Sequence, residues 1–117
     1  MKAIVKNLSV LILGTALGIL ILTGFKNSNE IIVPPTTHTV IISQMKFNPE
    51  NLKVKKGDKV VWINKDIVPH DVTEINKKWT SGPLKTGDKW SKTINGNFDY
   101  FCSIHVVMKG SVTIDKK

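Results

Sequence analysis

Beyond Pro35 the chain shows no helical period of apolar residues, and this constrains its fold more than any other feature. β-Branched and aromatic residues come instead in short runs about ten residues apart, bounded by turn chemistry. Val40-Ile41-Ile42 is one compact run, Lys53-Val54-Lys55 alternates, and Lys59 to Asn64 (KVVWIN) is the strongest strand pattern present. Val72 to Ile75 and Trp90 to Ile94 follow, Phe98, Tyr100 and Cys102 share one face at period two, and Val112 and Ile114 close the series. Lys56-Gly57-Asp58 and Thr86-Gly87-Asp88 supply turns, and Asn95-Gly96 predicts a hairpin. Asn76 to Lys85 is irregular, a loop or a single helical turn. Six or seven such strands predict an all-β fold, a Greek-key antiparallel β-sandwich.

The N-terminus follows a different rule. Lys2 and Lys6 flank the start of an uncharged apolar stretch, Leu8 to Phe25, which Lys26 ends. This is the export pattern, at a length between a signal-peptide core and a full membrane span. The clearest small-x-small triplet, Gly14-Thr15-Ala16, lies mid-run, and no cysteine follows for lipid attachment. A cleaved signal and a retained N-terminal anchor helix both fit, and either leaves the folded part extracytoplasmic, periplasmic or anchored facing outward. The expected organisation is therefore a leader over 1–25, a linker over 26–36 stiffened by Pro34-Pro35, and one domain over 37–117. A domain of that size builds one core but leaves no room for a second, substrate-binding one.

Charge excludes some partners. The net charge of +8 comes from 17 basic residues, all lysine, against 9 acidic ones. Without arginine the chain lacks the bidentate base contacts that specific nucleic-acid readers favour, so nucleic acid is not an expected partner. One cysteine permits no internal disulfide and none of the usual structural zinc sites.

That cysteine is nevertheless the informative residue. Cys102, His105 and Met108 follow one another with two residues between each pair, in a loop between two predicted strands. Composition alone would place a histidine at +3 and a methionine at +6 in fewer than about one chain in a thousand, or one in a hundred if neighbouring spacings are allowed. His70 lies upstream, just after the Trp62 strand. Two imidazoles, a thiolate and a thioether are the donor set of a blue-copper site: copper(II) tops the divalent affinity series, and soft sulfur also suits copper(I). The expected metal ligands are thus His70, Cys102, His105 and Met108, holding one copper ion.

At these residues the sequence resembles the cupredoxins, the small blue copper proteins, and most closely their amicyanin and plastocyanin-like members. The resemblance spans residues 37 to 115. It includes Phe47-x-Pro49, Lys56-Gly57-Asp58, Val61-Trp62-x-Asn64, Pro69-His70, Gly96-x-Phe98-x-Tyr100-x-Cys102 and Gly110-Ser111-Val112. The two-residue gap between His105 and Met108 is similar to amicyanin. The resemblance implies a β-sandwich that binds one type 1 copper through the four residues above and shuttles single electrons between extracytoplasmic redox proteins, as a monomer and not as an enzyme. Ile104 and Val106 flank His105 where amicyanins usually carry a proline beside it, and Asp71 follows His70 where many members carry asparagine. A carboxylate there can still accept a hydrogen bond from Ser103, and its charge should lower the reduction potential.

The remaining candidates have plainer readings. His38 reads as a solvated surface histidine, Met45 as packing beside the first strand, and Trp62 as core. Ile104, Val106 and Val107 should surround the His105 edge with apolar surface, either as ordinary loop packing or as a docking patch for a redox partner. Lys46, Lys65 and Lys109 are mainly solvating; if they steer, the partner presents acidic surface. Two other functions compete. A copper carrier that delivers the metal favours an exposed methionine-rich site, and three scattered methionines make none. A Cys102/His105 thiol hydrolase lacks an orienting third group and an oxyanion site.

Overall fold

The computed structural model describes Gly24 and residues 27 to 116. The expected leader over residues 1–25, apart from Gly24, lies outside the described residues. Eight strands are present: β1 (Thr37–Ser43), β2 (Lys46–Asn48), β3 (Asn51–Val54), β4 (Lys59–Asn64), β5 (Thr73–Glu74), β6 (Lys89–Thr93), β7 (Phe98–Phe101) and β8 (Lys109–Ile114). Among the described residues there is no helix. The all-β expectation holds.

The strands form two four-stranded sheets, ordered β2-β1-β4-β6 and β3-β8-β7-β5. From β2 to β7 every connection passes from one sheet to the other, so the loops gather at two poles. The expected antiparallel wiring is only partly right. β1 runs parallel to β4, with Thr37 opposite Lys59 and Ile42 opposite Asn64, and β3 runs parallel to β8. Strand patterns report burial, and burial looks the same whichever way a neighbour runs. Asn95-Gly96 is not a hairpin either, because β6 pairs with β4 and β7 with β5 and β8. The chain crosses between sheets there: the Ile94 amide donates to the Asp58 carbonyl at 2.8 Å and the Gly57 amide to the Ile94 carbonyl at 2.7 Å. Asn76 to Lys85 contains no helical turn. It folds back so that Thr80 bridges Thr73 and Leu84 bridges His70.

The core lies between the sheets. Alternation puts Val40, Ile42, Val60 and Trp62 inward from one sheet and Tyr100, Cys102 and Val112 from the other. Edge-on aromatic contacts fill the centre: Tyr100 meets Phe47 at 4.8 Å between ring centroids and Trp62 at 5.5 Å. Trp79 and Trp90 are partly buried and stack at 5.5 Å, with Lys92 over the Trp79 ring. Two plain readings need correcting. Met45 sits at positive φ in the exposed β1–β2 turn, not in strand packing. His38 is bound, not solvated: its Nε2–H donates to the Asp58 carboxylate at 2.8 Å.

β1, β4 and β7 all run toward the same pole. It carries the Gln44–Met45 turn, the loop from Asn64 to His70, and the segment from Cys102 to Met108. Both segments expected to bear metal ligands therefore end up side by side.

Candidate metal centre

The loop after β4 is built by one buried side chain. The Asn64 amide group donates to the carbonyls of Val68 (2.9 Å) and Leu84 (2.8 Å), and its oxygen accepts from the Asp66 amide (2.9 Å). This aims Asp66 back toward His70. His70 is anchored by main-chain bonds with Leu84 in both directions, at 3.1 and 2.7 Å, and is wholly buried at 0 % exposure. Its Nε2 lies 2.8 Å from Asp66 Oδ2. A carboxylate only accepts, so Nε2 carries the proton and Nδ1 presents a bare lone pair to the interior. The Met45 amide above all, followed by the His70 imidazole and the Gln44 amide, holds the Asp66 carboxyl below its usual range against the opposing effect of burial.

The other donors come from the β7–β8 connection. Cys102 continues the inward face of β7 and is fully buried. Its amide donates to the Met108 carbonyl at 3.1 Å, and the Met108 amide to the His105 carbonyl at 3.0 Å. These bonds close the seven residues into a compact loop with Met108 buried beneath it. The Asp71 amide donates to Cys102 Sγ at 3.4 Å. The Asp71 carboxylate ties the two ligand segments together. It accepts the Ser103 amide (2.7 Å), the Ser103 hydroxyl and the Thr73 hydroxyl (2.9 Å).

The result is a triangle of donors. His70 Nδ1 and His105 Nδ1 are 3.1 Å apart, and Cys102 Sγ lies 3.8 Å from the first and 3.9 Å from the second. A circle through three atoms at those separations has a radius of about 2.1 Å, within the roughly 2.0–2.3 Å span of imidazole and thiolate bonds to a first-row metal. Among the described residues these three are the cluster of histidine, cysteine and acidic side chains able to hold an ion. The donor set therefore fits a small, soft-tolerant metal ion. Met108 supplies a buried thioether at the end of the same loop.

The sequence reading named His70, Cys102, His105 and Met108 as candidates, and the fold brings the first three together around one point. It missed Asp66, which fixes the His70 ring, and Asn64 behind it. Their signal was available in outline: polar residues four and six positions before a candidate ligand. Around the His105 ring, Ile104, Val106 and Val107 are exposed at 47, 62 and 82 %, and Ile67 on the neighbouring ligand loop at 92 %.

Residues 36–115 match the family described as copper binding proteins, plastocyanin/azurin family. Amicyanin of Paracoccus versutus is 31 % identical over 90 residues, covering 71 % of this chain and 68 % of its own. Amicyanin of Paracoccus denitrificans is 35 % identical over 83 residues, covering 65 % and 63 %. A solved structure of a reduced amicyanin variant superposes with a TM-score of 0.64 at 29 % identity, over 73 % of this chain and 88 % of that one.

Proposed function

The chain belongs to the plastocyanin/azurin family of copper-binding proteins, and on that premise we propose that it is an amicyanin-like blue copper protein carrying single electrons between extracytoplasmic redox partners. The supporting observation is the donor triangle: two imidazole nitrogens and one sulfur, converging from two chain segments at bonding radius.

In this reading His70, Cys102 and His105 hold one copper ion and Met108 is the weaker fourth ligand. Bound copper supplies a one-electron couple for which this mixed donor set suits both oxidation states. The protein keeps those donors still. Asp66 locks the His70 ring through Nε2, and Asp71 locks the Cys102–Ser103 corner to the His70 segment. A donor set that cannot rearrange lowers the reorganisation cost of gaining or losing an electron. His105 is the only one of the three grouped ligands with solvent exposure, so its ring edge is the point of approach. Ile104, Val106 and Val107 give that edge an apolar surround that excludes water at a docked interface, and Lys46, Lys65 and Lys109 nearby favour a partner with acidic residues at its rim. The buried His70 and Cys102 do not favour a carrier that hands its metal on, since their bonds would have to break out of reach of an incoming ligand. Residues 8–25 act either as a cleaved export signal or as a retained tether at the outer face of a membrane, and the apolar pattern of the sequence supports both.

Protein-film voltammetry of the copper-loaded chain in the presence of a copper(I) chelator tests this. The expected result is a reversible one-electron wave with one copper per chain retained over repeated cycles. Loss of the metal to the chelator on each reduction would instead identify a copper carrier.

A further inference from the structure

The charge of the domain is not spread evenly. At the ligand pole Lys46, Lys65, Lys85, Lys89 and Lys109 share the surface with three acids, Glu50, Asp66 and Asp88, while Asp71 is buried. The opposite pole is built from the end of β3, the Lys55–Asp58 turn, the start of β4 and the end of β8. It exposes Lys53, Lys55, Lys56, Lys59 and Lys116. Of the two acids there, Asp58 is buried and already engaged by the Thr36 amide (2.9 Å), the Lys55 amide (3.0 Å) and His38 (2.8 Å). Only Asp115 faces solvent, beside Ile114 in a groove of about 490 Å³ edged by Lys55, Lys56 and Lys116.

The same pole receives the N-terminal linker. β1 begins at Thr37, opposite Lys59, and runs from there toward the ligands. The Thr36 amide and the His38 ring both fasten to Asp58, so the linker departs from within the lysine ring. About eleven residues separate it from the apolar stretch 8–25, a reach of at most about 40 Å. Lysine is a compact charge on a flexible stem with no preferred planar partner. Five of them on one pole, beside a tether, match a diffuse anionic plane better than a shaped protein site.

We propose that this basic pole rests on anionic lipid headgroups and so holds the copper pole facing away from the membrane. The inference rests on the tether reading of residues 8–25. A tether keeps the pole at high effective concentration near the bilayer, so weak attraction suffices. It acts within a Debye length, about 8 Å at physiological salt.

The test uses the full copper-loaded chain reconstituted in vesicles of phosphatidylcholine alone or with 30 mol % phosphatidylglycerol. Lysines are acetylated with a membrane-impermeant ester and read by mass spectrometry. On anionic vesicles Lys53, Lys55, Lys56, Lys59 and Lys116 should label at least threefold more slowly, with Lys65, Lys85, Lys89 and Lys109 unchanged; 0.5 M salt should abolish the difference. Reversing charge at three positions (K55E, K56E and K59E together) should keep the blue colour and free Lys53 and Lys116 to label at the neutral-vesicle rate. Equal labelling on both vesicles, or slowing spread over both poles, overturns the inference alone. A chain released by an alkaline carbonate wash overturns the tether and the inference with it.

Discussion

Substituting Gly110 by alanine should damage both stability and site. Gly110 pairs with Tyr100 across β7 and β8. A Cβ at Gly110 would stand 2.3 Å from Tyr100 Cζ, 2.4 Å from Oη and 2.8 Å from Cε2. Carbon atoms pack at about 3.5–4.0 Å, so the ring or the strand must move by more than about 1 Å. The ring has nowhere to go: Tyr100 is 1 % exposed and wedged against Phe47, Trp62 and Phe98. Overpacking of this kind costs about 1–3 kcal/mol, or a fall in Tm of about 5–20 °C for a domain this small. If β8 yields instead, Met108 moves with it and the Cys102–Met108 main-chain bond lengthens, broadening the copper spectrum. Urea titration of metal-free Gly110→Ala measures the cost. A double-mutant cycle with Tyr100→Leu, which removes the clashing atoms, should recover at least about 1 kcal/mol. Tyr100 Oη is buried without a well-formed hydrogen bond, and the Tyr100→Leu single substitution measures any weaker contact it makes with Trp62. A change below about 0.5 kcal/mol, or strict additivity of the two substitutions, would show that this strand pair is not close-packed as described.

Two further outcomes follow from buried carboxylates at opposite poles. Asp71→Asn keeps an acceptor for the Ser103 amide but removes a negative charge one residue from His70; two unit charges about 7 Å apart interact by about 2 kcal/mol at an effective dielectric of about 20. That corresponds to roughly 100 mV for one electron before relaxation, so voltammetry should show a rise of tens of millivolts; an unchanged potential would refute the charge argument. Asp71→Ala, which also cuts the tie to Ser103, should in addition weaken copper retention. Asp58 is held down to about 2, from 3.8, chiefly by the Thr36 amide, then by His38 and the Lys55 amide. Its folded value lies below its unfolded one, so its contribution is complete above about pH 4 and drains away as pH falls toward 2. The Tm of metal-free protein should drop through that window, and Asp58→Asn should flatten the slope; identical slopes would contradict the assignment.

How far the sequence reaches can be judged from these same residues. The candidate ligand set was legible because Cys102, His105 and Met108 are close in sequence and chemically distinctive, and His70 follows the strongest strand. The two-sheet architecture was legible from alternation, since Val60, Trp62, Tyr100 and Cys102 are buried where period two puts them. Strand direction was not, because parallel β1–β4 and antiparallel β4–β6 bury identical faces. The Asn95-Gly96 error has the same root: local turn chemistry does not reveal that β6 and β7 belong to different sheets. Asp66 and the His38–Asp58 pair were missed because a charged residue in a loop declares no partner until the fold supplies one. The need for glycine at position 110 likewise arises only when Tyr100 arrives from the neighbouring strand.

The central claim is that two imidazoles and one sulfur, brought together from distant segments, bind a single copper ion. Titrating metal-free full chain with copper(II) and recording the visible spectrum tests it directly. The account predicts an intense blue or green thiolate-to-copper band that saturates at one equivalent and is absent from Cys102→Ser and His70→Ala. A chain that stays colourless, or a band that survives loss of His70, would contradict it.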